Sequence, residues 1–187
     1  SATLDTGQMA AYDAAVERNN ASYATLLLAA FAAYTAQMTD SDDVILSLPV
    51  TGRTTAVLRR SGGMVSNIVP LRLHVGSDTT VESLARSAGI AVSGALRHQR
   101  YRHEDIRRDT PSADKTRVFF GPCVNIMLFD RELTFGDVQG SFNVLSTGGI
   151  EDLAVNLYQG SGARLHVDFE SNPNVFGADE AQSHHDR

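Results

Sequence analysis

The segment spanning residues 23–38 constrains the fold most, because its side chains are apolar on nearly every side of a helix. Its polar positions are confined to the two ends and to Thr35 and Gln37. A helix on a protein surface needs a polar face, so this pattern predicts a helix buried in a core. Its 16 residues are too few to cross a bilayer, which takes about 20. With 187 residues, 42% of them hydrophobic, the chain is long enough to build one domain around that helix.

Helical and extended patterns alternate on either side of this segment. Apolar spacings of three and four predict helices over residues 8–18 and from residue 81 to near Gln99, with short helices at residues 57–60 and 101–106. Runs of β-branched and leucine side chains predict strands over residues 43–50 and 67–75. Thr79 followed by Glu82 has the form of a capping box, so we expect Thr79 to cap the long helix.

The last third of the chain is predicted to be mostly strand. Extended patterns cover residues 118–129, 141–145, 152–158 and 164–170, and a glycine-bearing loop at residues 159–162 predicts a hairpin between the last two. The order of helix, helix, strand, strand, helix and then strands predicts an α/β fold. We expect a two-layer α/β sandwich in which a mixed sheet is covered by helices.

The charge balance argues against nucleic acid as a partner. The net charge is −6 and the isoelectric point is near 5.4, whereas binding a polyanion requires a clustered basic face. The densest basic stretch, residues 97–108, is interrupted by Glu104 and Asp105 and predicts a solvated helix end. Contact with a pantetheine phosphate or a nucleic acid is the alternative for this stretch.

Cys123 is the only cysteine, which rules out an intramolecular disulfide and a cysteine-based zinc site. A reducing, cytoplasmic setting is expected. No apolar run approaches a membrane span, and the N-terminus lacks the charged-then-apolar pattern of a signal peptide. Ser1 in place of a methionine and a C-terminus inside a helix just begun lead us to expect a piece excised from a longer protein.

Six blocks of sequence, in a consistent order, carry a resemblance to a known family. Residues 42–53 end in Pro49-Val50-Thr51-Gly52-Arg53, and residues 63–72 contain Asn67-Ile68-Val69-Pro70-Leu71-Arg72. The other blocks are residues 99–106, 120–130, 146–153 and 172–176. Together they resemble the condensation domains of nonribosomal peptide synthetases over roughly residues 20–180. The late blocks are most similar to siderophore synthetases of the enterobactin-synthase type.

The resemblance implies a chloramphenicol-acetyltransferase-like fold and an acyltransferase activity. Such domains join carrier-bound acyl or aminoacyl thioesters to an acceptor amine, here in siderophore or related peptide biosynthesis. No cofactor is expected to bind directly, because neighbouring carrier domains deliver the phosphopantetheine arm. The implied partners are the N-terminal half of the same domain, peptidyl or acyl carrier domains and an adenylation domain.

The catalytic motif of the family, His-His-x-x-x-Asp-Gly, does not occur in this sequence. His184-His185-Asp186 lacks its spacing and its Asp-Gly pair, and we interpret these residues as the polar surface of a helix. Residues 1–187 are therefore expected to be the C-terminal, acceptor-side half of a condensation domain. The resemblance implies that this half contains no catalytic residue and is inactive alone.

Asn125 is the leading candidate for contact with the substrate channel. The resemblance implies that its side chain faces this channel, and the alternative is a core amide satisfied by neighbouring backbone. Ser146, Thr147 and Gly148 resemble the segment that bridges to the other half near the channel floor. The alternative for them is an ordinary glycine turn between strands.

The remaining candidates are interpreted as structural. Arg53, Asn67 and Arg72 belong to the motif blocks, and both arginines can anchor loops through charge-assisted hydrogen bonds. Gly62-Gly63 is not followed by Lys-Ser/Thr, so a nucleotide loop is not expected. No metal site is expected, since the separate histidines (His74, His98, His103 and His166) lack the paired spacing of metal ligands.

Two other functions remain open at the level of sequence. A non-catalytic, condensation-like interaction domain would recruit carrier or tailoring partners instead of joining substrates. An epimerisation or heterocyclisation domain would share the same fold. The upstream half separates the enzyme from the interaction domain. An intact catalytic motif there favours the enzyme, and a degenerate motif favours the non-catalytic interaction domain.

Overall fold

The computed structural model describes residues 2–110, 120–128, 133–140, 149–159 and 165–186. Within these ranges the helices are α1 (Thr6–Arg18), α2 (Tyr23–Thr39), α3 (Ala56–Arg60), α4 (Val81–Arg97), α5 (His103–Asp109) and α6 (Ala178–Asp186). The strands are β1 (Ala2–Thr3), β2 (Asp43–Val50), β3 (Asn67–His74), β4 (Cys123–Met127), β5 (Leu133–Phe135), β6 (Val138–Gly140), β7 (Leu153–Gln159) and β8 (Leu165–Ser171).

Six of these strands form one sheet in the order β1-β8-β7-β4-β2-β3, and β5 pairs with β6 alone. The sheet is mixed, because β2 runs parallel to β4 and antiparallel to β3, while β7 and β8 are antiparallel. Helices α2, α4 and α6 pack on its strands. The predicted α/β fold with a mixed sheet covered by helices is confirmed.

The chain divides into two compact units. One is Asp13–Val124, and the other combines Ser1–Tyr12 with Asn125–Arg187. In the first unit β2 and β3 are in register along their whole length, with Leu46 opposite Leu71 and Leu48 opposite Val69. Alternate side chains of these strands form one buried apolar face, which α2 and α4 cover.

Helix α2 is the predicted apolar helix, but only one of its faces is fully buried. Its N-cap, Ser22, exchanges hydrogen bonds with Thr25, and its C-cap is Asp40, whose φ of 50° lies in the left-handed region. The buried face consists of Leu26, Leu28, Ala29, Ala32, Thr35 and Ala36. On the other side Phe31 is half-buried and Ala30 is exposed, so the expectation of all-round burial is wrong.

The start of α4 differs from the predicted capping box. Thr80, not Thr79, is the N-cap, and its side chain accepts a hydrogen bond from the Ser83 N–H while the Ser83 side chain accepts one from the Thr80 N–H. Thr79 accepts a hydrogen bond from the Gly76 N–H instead. Glu82, the expected partner of Thr79, pairs with Arg86 at 2.6 Å one turn later.

In the second unit the predicted pairing of two late strands is confirmed, with Asn156 opposite Asp168 in β7 and β8. Of the strand expected over residues 118–129, the described residues 120–128 contain β4, which is shorter than that stretch. The strand expected at residues 141–145 and the loop residues 160–162 lie outside the described residues. The sequence did not predict β1, β5 or β6. None of the helices in the described ranges combines the length and apolar character that crossing a membrane requires.

Candidate functional site

One face of the β7–β8 pair carries polar side chains at alternate residues of both strands. Side chains alternate between the two faces of a strand, so Asn156 and Tyr158 of β7 share a face with the residues opposite them on β8. The register pairs Ala154 with Glu170, Asn156 with Asp168 and Tyr158 with His166. The face therefore presents an amide, a phenol, an imidazole and two carboxylates.

A line of three side chains crosses this face from β4 to β8. The Asn125 Nδ2 donates to the Asn156 Oδ1 at 3.0 Å, and the Asn156 Nδ2 donates to the Glu170 Oε1 at 3.1 Å. Asn156 is 6% exposed, and Asn125 is half-buried. We call Asn125, Asn156 and Glu170 the amide line. Since a buried amide must find hydrogen-bond partners, the line explains how the sheet accommodates Asn156.

A second polar group lies beside the amide line on the same face. The Tyr158 hydroxyl donates to the Asp168 Oδ2 at 2.8 Å, and the Tyr158 ring stacks on His166 with centroids 5.3 Å apart. His166 Nδ1 in turn is hydrogen-bonded to the Thr3 Oγ1 at 2.8 Å. These contacts tie β1, β7 and β8 together by their side chains as well as by their backbones.

Asn125, the leading candidate, therefore has a partner that neither sequence interpretation anticipated. Among the described residues its side chain bonds to another side-chain amide, not to neighbouring backbone. Asn156 and Glu170 were not singled out from the sequence. The alternation of Ala154, Asn156 and Tyr158 within a predicted strand was a usable signal for a shared face, but it does not reveal the partner strand. Ser146, Thr147 and Gly148 lie outside the described residues.

The other three candidates lie in the first unit and hold loops and strands. The Arg53 guanidinium donates to the carbonyl oxygens of Leu58, Ser61 and Gly63 at 2.5–2.8 Å. Arg72 on β3 makes a two-pronged contact with Asp43 on β2 at 2.7 and 2.8 Å. Hydrogen bonding from Arg72 lowers the pKa of the Asp43 carboxyl and raises that of the guanidinium.

Asn67 connects β3 to the segment that follows α4. Its Nδ2 donates to the carbonyl oxygens of Gln99 and Tyr101 at 2.9 and 2.8 Å, and its Oδ1 accepts from the His103 N–H at 3.0 Å. Two of the blocks recognised in the sequence, residues 63–72 and 99–106, are therefore joined by this one side chain.

Ser47 is a buried polar residue that the sequence analysis did not single out. Its side chain is fully buried in β2, and its Oγ accepts hydrogen bonds from the backbone N–H groups of Phe120 and Gly121 at 2.8 and 3.3 Å. A Cβ on Gly121 would lie 2.0 Å from the Ile45 carbonyl oxygen, so only glycine fits there. Block 42–53 and the start of block 120–130 meet at this point.

The interpretation of His184-His185-Asp186 as a polar helix surface is wrong for His184. This side chain is 7% exposed and lies between two aromatic rings of the same unit. Phe169 stacks on it with centroids 6.1 Å apart, and Phe176 meets it edge-on at 5.5 Å. His184 therefore packs α6 against β8, on the face opposite the amide line.

Comparison with known proteins identifies the family. The family model described as "Condensation domain" matches residues 1–187. The dimodular nonribosomal peptide synthase of Bacillus subtilis is 35% identical over 89% of this chain and 7% of its own length. Enterobactin synthase component F of Escherichia coli is 34% identical over 59% of this chain and 8% of its own, which confirms the predicted relationship to that synthase.

A solved structure is similar along the whole chain. The first condensation domain of the calcium-dependent antibiotic synthetase, in complex with a substrate analogue, superimposes with a TM-score of 0.88 at 34% identity. The similarity covers 100% of this chain and 41% of that one. The chain thus spans less than half of a solved condensation domain and a small fraction of each curated relative. With a family model matched from end to end and a fold shared with solved members, the chain belongs to the condensation-domain family of nonribosomal peptide synthetases.

Proposed function

We propose that residues 1–187 form the acceptor-side, C-terminal half of a condensation domain that makes amide bonds. Family membership supports the kind of reaction. The coverage of 41% of a solved condensation domain supports the assignment to one part of such a domain. The sequence lacks His-His-x-x-x-Asp-Gly, which supports assigning the chain to the half of the domain that does not contain the catalytic histidine.

The reaction places modest chemical demands on this half. An amine on one carrier attacks the thioester carbonyl carbon of an acyl group on another carrier, so a C–N bond forms and the C–S bond breaks. The amine loses a proton and the carrier thiol departs. The nucleophile belongs to the substrate, so the protein must orient the two groups and stabilise developing charge with fixed dipoles. Side-chain amides are suited to that task.

Asn125 is the observation that carries the proposal. It is a half-buried amide on β4, inside a block that resembles the channel-facing strand of the family, and it is held by Asn156. In the proposed domain it contacts the acceptor side of the reaction. Ser146, Thr147 and Gly148, which resemble the segment that bridges to the other half, are proposed as further substrate-channel residues.

The substrates and partners follow from the same proposal. Carrier domains bring both substrates on phosphopantetheine arms, an adenylation domain supplies the activated amino acid, and the N-terminal half contributes the histidine. The similarity to enterobactin synthase component F supports a siderophore or a related peptide as the product.

Substitution of Asn125 in the complete condensation domain tests this function. With both carriers loaded, Asn125→Ala is expected to slow amide formation on the order of 10-fold, about the value of one lost hydrogen bond. The rate is measured by quenched-flow detection of the carrier-bound product. Thermal unfolding is recorded in parallel, because a folding defect would also reduce the rate.

Asn174→Ala is the matched control, since Asn174 is an exposed asparagine in the same unit, outside the amide line. Its condensation rate should equal that of the parent domain. If Asn125→Ala keeps the full rate and melts normally, Asn125 has no part in the reaction.

A further inference from the structure

The amide line has a direction, which its carboxylate end imposes. An ionised carboxylate accepts hydrogen bonds and cannot donate them, whereas a side-chain amide has one accepting oxygen and one donating nitrogen. Glu170 therefore requires the nitrogen of Asn156 to face it, as the 3.1 Å contact shows. The Asn156 oxygen then faces the other way, toward Asn125.

The same logic applies at the next position. Because Asn156 presents its oxygen, Asn125 must donate through its Nδ2, and the 3.0 Å contact has that arrangement. The Oδ1 of Asn125 is consequently turned away from Asn156. A hydrogen-bond direction set at Glu170 is passed through Asn156 to Asn125.

Burial keeps this direction fixed. Asn156 is 6% exposed, so water cannot readily replace its partners. A reversed amide would bring its oxygen against the Glu170 carboxylate and its nitrogen against the Asn125 nitrogen. Both hydrogen bonds would be lost, and like partial charges would meet in their place.

We infer that Glu170 and Asn156 are positioning residues. They make Asn125 present its Oδ1, which accepts a hydrogen bond, to the amine-bearing substrate. The group that fits this oxygen is a donor, and an amine is the donor that a condensation reaction supplies. The inference rests on the proposed function, and it specifies which end of the Asn125 amide the amine meets. It gives a role to two residues that no motif contains.

A set of isosteric variants in the complete domain tests the inference. Asn156→Asp removes the donor to Glu170 and places two carboxylates side by side, so their repulsion displaces the side chain at position 156 and Asn125 loses its anchor. The double variant Asn156→Asp with Glu170→Gln restores it, because the carboxylate introduced at position 156 can accept from Asn125 and from the new glutamine amide at once. The double variant keeps the net charge of the parent.

The expected result is a change in the KM for the amine-bearing carrier only. Asn156→Asp should raise the KM for the amine-bearing carrier on the order of 10-fold with the KM for the acyl donor unchanged, and the double variant should recover most of the loss. In an Asn125→Ala background, Asn156→Asp should have no further effect. Tyr158→Phe is the matched control, since it removes a neighbouring hydrogen bond on the same face and leaves the line intact.

Three outcomes would contradict the inference. In the first, Asn156→Asp adds its full effect to that of Asn125→Ala, so Asn156 does not act through Asn125. In the second, the double variant stays as impaired as the single one. In the third, the KM values for donor and acceptor carriers rise together. A parent domain that forms no amide at all would instead overturn the proposed function, so the two failures are distinguishable.

Discussion

Asn67 illustrates how much a single buried amide contributes to this fold. It is 8% exposed and uses both ends of its side chain to bind three backbone groups between Gln99 and His103. The two carbonyl groups lie between α4 and α5, and the N–H belongs to His103, the first residue of α5, so no helix satisfies any of the three. A buried backbone group left without a partner costs about 1–3 kcal/mol.

Asn67→Ala is therefore expected to destabilise the domain by about 3 kcal/mol, because two carbonyl groups and one N–H lose their partner. Chemical denaturation followed by circular dichroism measures the change in the free energy of unfolding. Gln37→Ala, at an exposed position on α2, should stay close to the parent. A loss below about 1 kcal/mol for Asn67→Ala would mean that water replaces the asparagine.

At the scale of elements, α4 shows where sequence patterns are ambiguous. Thr79 with Glu82 and Thr80 with Ser83 both place a hydroxyl three residues before a polar partner. Local sequence favours the first pair, since glutamate is the usual partner in a capping box. The structure uses the second pair, and Thr79 closes the preceding turn with Gly76.

Substitutions at Thr80 and Glu82 should differ in their effect on the free energy of unfolding. Thr80→Ala removes the acceptor for the Ser83 N–H and is expected to cost about 1 kcal/mol in the free energy of unfolding. Glu82→Ala removes only an exposed pair with Arg86 and should cost at most about 0.5 kcal/mol. Equal losses, measured by denaturant titration, would argue that Glu82 also caps the helix.

The strands show which features the sequence could predict and which it could not. The bounds of β2 were predicted in full, because a run of β-branched and leucine side chains and a following Gly-Arg turn are local signals. The two-residue strand β1 is too short to carry a pattern. The link between Asn156 and Asn125 depends on which strand lies beside which, and a single sequence does not contain that information.

At the scale of the whole molecule, three of the recognised blocks and the start of a fourth contact one another within Asp13–Val124. Gly52 has a φ of 64°, and a Cβ there would lie 2.1 Å from the Val65 carbonyl oxygen, so blocks 42–53 and 63–72 meet at a glycine. Asn67 joins the second block to residues 99–106, and Ser47 joins the first to residues 120 and 121. Motifs that are far apart in sequence thus mark places where only certain residues fit.

The isolated chain should form no amide from two loaded carriers. Its adjacent histidines do not substitute for the family motif, because His184 is packed between Phe169 and Phe176 and the Asp-Gly pair is missing. The proposed function assigns proton handling to the other half and only the positioning of the amine to the amide line. Mass spectrometry of the carriers after incubation measures the product, with the complete domain as the positive control. Turnover by residues 1–187 above the uncatalysed rate would place the base within this chain.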